Sequence, residues 1–213
     1  MAQTIYVPAM AQIAEALNVR NGEMPRVMAA YLITYGASQL VYGPISDSTG
    51  RRPVILFGML LFMLGAGVSL MATSLNMLVL GSAIQGMGTG VGGVMARTLP
   101  RDLYDGQSLR RANSLLNMGL LMSPLLAPLV GAALTRWFSW HACFAFLLLL
   151  CLLVTGAMSR WLPETRIGQK STTPFFQRYT LLLRDGRFVR FLLLLIGALA
   201  GIAVFEASCG VLL

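Results

Sequence analysis

Charged side chains are scarce in this chain of 213 residues: Asp, Glu, Lys and Arg make up 11% of it, against roughly 25% in an ordinary soluble domain. There is one histidine, and the three cysteines have no metal-ligand spacing, so neither a metal site nor a disulfide framework is predicted. Hydrolase triads and phosphate-binding glycine loops are missing too, and we do not expect an enzyme or an ATP-driven pump. What the chain does have is hydrophobic residues, 56% of the total, which is typical of a membrane protein.

Six apolar runs are long enough to cross a bilayer as α-helices, since a hydrocarbon core about 30 Å thick needs about 20 residues. None shows the alternation of a barrel strand. The runs cover 27–46, 53–72, 75–96, 112–134, 142–158 and 191–213. Residues 1–17 are helical in character but more polar, and no basic segment precedes them. We interpret them as the outer part of a first span whose beginning is missing, not as a signal peptide.

If successive loops are assigned alternately to the two sides of the membrane, almost all basic residues fall on one side. Of the sixteen, only Arg20, Arg26 and Arg136 lie on the other side. Because Lys and Arg collect in cytoplasmic loops, the basic side is predicted to be the cytoplasm. The net charge of +8 therefore reports topology and not nucleic-acid binding, for which no motif is present.

One long polar and basic stretch, residues 159–190, interrupts the rhythm of short connections. It is predicted to be a cytoplasmic linker after a transmembrane bundle formed by residues 1–158. The run at 191–213 has no partner helices in this sequence, so we interpret it as the first helix of a second bundle that is otherwise missing.

Five short stretches carry a family resemblance. They are QTIYVPA at 3–9, GPISDSTGRRP at 43–53, AIQGMGTGVGGVMARTLPRD at 83–102, SPLLAPLVGA at 123–132 and LPET at 162–165. Together they resemble the drug:proton antiporter branch of the major facilitator superfamily, which has twelve helices. The resemblance covers essentially the whole chain. It implies an all-α fold with a six-helix N-terminal bundle in the bacterial inner membrane, and export of amphipathic toxic compounds in exchange for protons.

The stretch GPISDSTGRRP lies between two apolar runs. An aspartate at the end of a helix is poorly placed for the helix dipole, so Asp47 is expected to be held by Arg51, and the family pattern adds Asp102. We interpret this network as a latch that favours one conformation of a rocking transporter. The alternative is a loop whose arginines only keep it in the cytoplasm. The latch residues are Gly43, Asp47, Gly50, Arg51, Arg52 and Asp102.

Small residues recur every fourth position in the run at 112–134, and two prolines bend the same helix. They form a predicted helix-packing motif, glycine-rich in the antiporters it resembles and partly replaced here by Ser and Ala. Tight packing and a special role in exchange both remain open. The motif comprises Gly119, Ser123, Pro124, Ala127, Pro128 and Gly131.

Aromatic residues point to a substrate cavity. Tyr31 and Tyr35 are four residues apart and share a helix face, where they can stack on flat or cationic drugs. Tyr6, Gln85 and Phe205 are predicted to line the same cavity. For Gln85 the alternative is that its buried amide finds hydrogen-bond partners within the protein.

Glu206 is the only acid within a complete predicted span. A charged carboxylate at mid-membrane costs about 2.5 to 3.5 kcal/mol, so it is predicted to face a cavity and to serve proton or cation coupling. The alternative is simple hydration near the outer interface. Two proton roles do not carry over from the resemblance, because Ser82 stands where the family has an arginine and Thr4 where relatives have an acid.

These features predict a proton-coupled multidrug efflux antiporter without cofactors, whose partners are drug-like amphipathic molecules, protons, the lipid bilayer and the missing second bundle. This chain alone is expected to be inactive. Two alternatives stay open: a transporter of a specific small metabolite, and a truncated membrane protein that transports nothing.

Overall fold

The computed structural model describes residues 4–165, 180, 184–194 and 196–197, and the regular elements within these ranges are helical. The chain divides into two compact units, Met1–Lys170 and Ser171–Leu213. The first unit contains 3-10 turns at Val7–Ala9 and Asn21–Glu23, and helices α1 Met10–Ala16, α2 Pro25–Thr49, α3 Arg51–Leu70, α4 Leu75–Leu103, α5 Gly106–Trp137 and α6 Trp140–Trp161. In the second unit, residues 186–194 are helical.

Four helices in the described part of the chain, α3 to α6, are long and apolar enough to cross a membrane. The 25-residue α2 is long enough but less apolar, because Thr34, Ser38 and Gln39 lie in its interior. Within the partial first span predicted over 1–17, a 3-10 turn leads into the seven-residue α1. Most of the run at 191–213 lies outside the described residues.

Several helices extend beyond the predicted apolar runs. The run at 75–96 becomes a helix that continues to Leu103, and the run at 112–134 begins earlier, at Gly106. Likewise α6 continues through Ser159 to Trp161, within the stretch predicted as linker. An apolar run marks the part of a helix that lies in lipid, and a helix can continue past it where charged side chains reach water.

The ends of the helices follow local chemistry. Pro25 stands in the first turn of α2, where its missing N–H costs nothing. Ser74 caps α4, its Oγ accepting the Met77 N–H at 3.3 Å. Helix α2 ends and α3 begins at Gly50, whose φ of 109° lies in the left-handed region that favours glycine.

Helix α4 packs along both α2 and α3 and is the centre of the first unit. Its glycines permit this: a Cβ on Gly88 would overlap the backbone of α3 at Phe62, and one on Gly86 would overlap α2 at Tyr31. Small residues of this kind let helices approach closely in a membrane, where dispersion contacts replace hydrophobic burial as the source of stability. The glycine-rich sequence of α4 therefore serves two faces at once.

Two buried clusters flank this centre. One joins the N-terminal segment to α6 and includes Ile5, Tyr6, Ile13 and Phe144. The other lies nearer the α2–α3 turn and joins α2, α3 and α4 through Tyr42, Val54, Ile55, Val91 and Met95. The clusters fasten α3 and α4 at two levels, which positions the turn and the cavity described next.

Candidate functional site

The turn between α2 and α3 is built around an ionic cluster. Arg51 Nη1 donates to Asp47 Oδ1 at 2.7 Å, and Arg51 Nε donates to Asp102 Oδ2 at 3.0 Å. Nη1 also donates to Ser46 Oγ at 2.6 Å. The structure thus brings together Asp47, Arg51 and Asp102, as expected for the latch, and joins the end of α2, the start of α3 and the end of α4. Its role as a latch stays a prediction.

The two ion pairs differ in their exposure to solvent. The side chain of Arg51 is 12% exposed and that of Asp102 18%, while Asp47 is 43% exposed. Water screens the Asp47 pair, whereas the Asp102 pair lies in a less polar environment where a lost partner costs more. Asp102 is therefore the stronger anchor of the cluster.

Gly43 does not share in the turn. It lies inside α2, and its carbonyl accepts a hydrogen bond from Ser46 Oγ at 2.8 Å. The reversal occurs seven positions later, at Gly50, which needs both a left-handed φ and space. Both glycines were among the predicted latch residues, but a helix tolerates glycine inside the membrane, and Gly43 belongs to α2.

Glu164, in the LPET stretch, is a member of this site for which no role was predicted. Its Oε1 accepts the Arg51 N–H at 2.8 Å and its Oε2 accepts the Arg52 N–H at 3.2 Å. Arg52 Nη2 in turn donates to the carbonyl oxygen of Ser159 at 2.5 Å. One signal was available: α3 starts after a glycine, which has no side chain to cap a helix, so an acceptor must come from elsewhere.

A cavity of about 620 Å³ lies between α2, α4 and α5. The rings of Tyr31 and Tyr35 stack on its α2 side, with centroids 6.1 Å apart and an angle of 10° between their planes. Among the described residues that line it, Arg97 carries the only charge. The lining comprises Tyr31, Tyr35, Thr89, Gly92, Gly93, Ala96, Arg97, Asn113, Leu116, Asn117 and Leu120.

Two residues predicted to line this cavity lie elsewhere. Tyr6 is buried against Phe144, with ring centroids 5.6 Å apart. Gln85 is buried between α3 and α4, where its Nε2 donates to Ser69 Oγ at 3.2 Å. The apolar surroundings of Tyr6 and the close approach of α3 and α4 at Gln85 keep both away from the cavity lining. Phe205 and Glu206 lie outside the described residues.

The predicted packing motif of α5 is used over only half its length. A Cβ on Gly131 would overlap the carbonyl oxygen of Ile5, and Ala127 is fully buried. Gly119, by contrast, is exposed and has nothing within 4 Å of a Cβ position. Ser123 and Pro128 are half-buried and Pro124 is exposed. The motif therefore packs the N-terminal segment against one end of α5 and leaves the other end open.

Within the part of the chain that the structure describes, no group of three or more His, Cys, Asp or Glu side chains is placed to hold an ion.

Similar proteins include several drug-resistance proteins. The chain is 60% identical over all its 213 residues to Multidrug resistance protein D of Escherichia coli (strain K12), of which it covers 54%. It is 36% identical over 165 residues, 76% of its length, to the Chloramphenicol resistance protein of Pseudomonas aeruginosa, of which it covers 39%. It is 31% identical over 185 residues, 85% of its length, to Multidrug transporter MdfA of Edwardsiella ictaluri, of which it covers 45%. The chain thus spans about half the length, or less, of these curated relatives.

A solved structure shares the fold. A crystal structure of a peptide transporter POT in complex with alafosfalin matches 91% of this chain and 44% of its own, with a TM-score of 0.66 and 20% sequence identity. The all-α membrane fold predicted from the sequence is confirmed, and the protein is a multi-pass membrane protein. Residues 1–211 match the family model described as Major Facilitator Superfamily, and the chain belongs to that superfamily.

Proposed function

We propose that this chain forms the N-terminal bundle of a multidrug efflux antiporter, which exports amphipathic compounds in exchange for protons. The observation that carries the proposal is the stacked pair Tyr31 and Tyr35 on the wall of a cavity of about 620 Å³. The identity of 60% to a protein named Multidrug resistance protein D supports the same function.

The chemistry of the cavity suits amphipathic molecules. Two tyrosine faces provide flat surfaces for aromatic substrates, and Leu116 and Leu120 add apolar surface from α5. Asn113 and Asn117 offer amides that accept or donate hydrogen bonds. Tyrosine faces and leucines beside asparagine, threonine and arginine side chains give the wall both the apolar and the polar surface that an amphipathic molecule needs.

Transport requires a second bundle that rocks against this one. In secondary transporters the substrate site lies near the bilayer midplane at the interface of two repeats, and rocking exposes it to each side in turn. The ionic cluster of Asp47, Arg51 and Asp102 fastens three helix ends of this bundle together and acts as the latch for one of the two states. By the distribution of basic residues, the latch faces the cytoplasm in a bacterial inner membrane.

Proton coupling is assigned to Glu206, on the sequence alone. Its carboxyl group lies within an apolar run, where protonation relieves the cost of a buried charge. Exchange of a proton for substrate at this carboxyl group is the simplest route to antiport.

Ligand binding to the purified chain tests the cavity directly. Nile red, a neutral amphipathic dye whose fluorescence rises in apolar sites, serves as the probe, with chloramphenicol as competitor. Replacing Tyr35 by Ala removes a stacking surface and is expected to weaken binding by about 3- to 10-fold. Tyr104→Ala is the matched control, because Tyr104 is 47% exposed and does not line the cavity. Equal affinity of the Tyr35→Ala and Tyr104→Ala variants would contradict the proposal.

A further inference from the structure

Helix α3 lacks a cap of its own. The first N–H groups of any helix have no partner within the helix, and a Ser, Thr, Asp or Asn side chain at the preceding position usually accepts from them. At α4 Ser74 does this, but at α3 the preceding residue is Gly50. The carboxylate of Glu164, 113 positions away from Arg51 in the sequence, takes that place.

We infer that Glu164 is a positioning residue of the latch: it caps α3 from the segment after α6 and thereby fixes where Arg51 presents its guanidinium group. The inference rests on the latch proposed above and adds a residue that acts through Arg51. A carboxylate at a helix N-terminus is also favoured by the helix dipole, so Glu164 supplies both the acceptor atoms and the charge that this end of α3 requires.

The contact is reciprocal. The carbonyl of Ser159 lies in the last turn of α6, where backbone carbonyls have no partner within the helix. Arg52 Nη2 donates to it, while Glu164 accepts from the Arg52 N–H. The start of α3 is thus bound by three hydrogen bonds, one to the last turn of α6 and two to the segment that follows α6.

Gly50 provides the space for this arrangement. Its φ of 109° disfavours any side chain, and a Cβ would lie 2.6 Å from Glu164 Oε2, closer than such atoms approach. The glycine of the turn therefore has a second purpose beside chain reversal: it leaves room for a carboxylate from a distant part of the chain.

Arg51 is held from both ends as a result. Its backbone N–H is bound by Glu164, and its guanidinium group is bound by Asp47 and Asp102. Loss of the first contact frees the start of α3 and shifts the side chain relative to both carboxylates. Because Glu164 lies in the segment that follows α6, the same contact ties this segment to the latch.

Hydrogen–deuterium exchange of the purified 213-residue chain tests the cap without any transport measurement. In Glu164→Ala, the amides of Arg51 and Arg52 are expected to exchange about tenfold faster, because a lost cap frees them. Glu164→Gln keeps an acceptor oxygen and is expected to restore part of the protection; it also serves if the alanine variant does not fold. Glu15→Ala, in α1, removes the same charge elsewhere and is expected to leave these amides unchanged.

A double-mutant cycle separates a positioning residue from one that only adds stability. The unfolding midpoint in detergent is measured for Glu164→Ala, Asp102→Asn and both together. If Glu164 acts through Arg51, the combined loss is smaller than the sum; the pair Glu15→Ala and Asp102→Asn is expected to be additive. Unchanged amide exchange, or additive losses for Glu164 and Asp102, would overturn the inference. If both results hold while Asp47→Asn leaves the conformational balance of the transporter unchanged, the latch function fails and the cap stands.

Discussion

Arg51 Nε and Asp102 Oδ2 lie 3.0 Å apart and join residues 51 positions distant in the sequence. The pair connects the first residue of α3 to the last turn of α4. It exists because α4 continues past its apolar run, so that Asp102 reaches the level of the α2–α3 turn. The charged end of α4 is therefore part of the same site as the turn.

Replacing Asp102 by Asn is expected to destabilise the bundle more than replacing Asp47 by Asn. The Arg51 side chain is 12% exposed, so losing the Asp102 charge removes a charge-assisted hydrogen bond worth about 1.5 to 3 kcal/mol. Asp47 is 43% exposed and forms a pair within one turn, for which less than about 1 kcal/mol is expected. Thermal unfolding in detergent measures the loss of stability in both variants. An Asp47→Asn variant as unstable as Asp102→Asn would contradict this order.

The two ends of the α5 motif are expected to respond differently to the same small change. Gly131→Ala places a methyl group against the carbonyl oxygen of Ile5 and is expected to cost about 1 to 3 kcal/mol, since backbone must move. Gly119→Ala is the matched control, with open space around its Cβ position, and is expected to leave the unfolding midpoint unchanged. Equal stability of the two variants would show that the N-terminal segment does not pack on α5 as described.

Replacement by Ala is expected to affect stability differently at two buried serines. Ser69 accepts a hydrogen bond from Gln85 Nε2, so Ser69→Ala leaves a buried amide without this partner and is expected to cost about 1 to 3 kcal/mol. Ser82 is just as buried, but its Oγ has no hydrogen-bond partner within the described residues. Ser82→Ala is therefore expected to be neutral or stabilising. The prediction fails if Ser82→Ala is the more harmful change in an unfolding titration.

Cysteine labelling tests which side of the membrane the basic loops face. Ser108→Cys lies on the basic side, in the first turn of α5, and Phe138→Cys lies at its other end; both positions are exposed. A maleimide that cannot cross membranes is expected to label Phe138→Cys in intact bacterial cells and Ser108→Cys only in everted vesicles. The unsubstituted chain gives the background from its own three cysteines, of which Cys143 and Cys151 are buried and Cys209 lies outside the described residues. Labelling of Ser108→Cys from outside would reverse the proposed topology.

Much of the fold was predictable because each helix in a bilayer must satisfy its own backbone hydrogen bonds, so that apolar length alone reveals α3 to α6. Helix ends were less predictable: hydropathy marks where lipid stops, and Asp102 lies beyond that point. The residues that line the cavity were harder still to predict. Periodicity places Tyr31 and Tyr35 on one face, as observed, but nothing in it tells whether Gln85 faces a cavity or Ser69 of a neighbouring helix. The glycine before α3 signals that an acceptor must come from elsewhere, but no local pattern tells that Glu164, 113 positions from Arg51, supplies it.

Transport by a completed pair of bundles tests the central claim most directly. The chain is produced in bacteria together with the part of the E. coli Multidrug resistance protein D that it does not match, and everted vesicles are given a proton gradient. Uptake of tetraphenylphosphonium is expected only when both parts are present. It is expected to stop when the gradient is collapsed or when Glu206 is replaced by Gln. Uptake that persists without a gradient, or that equals the uptake with either part alone, would contradict a proton-coupled exporter built on this bundle.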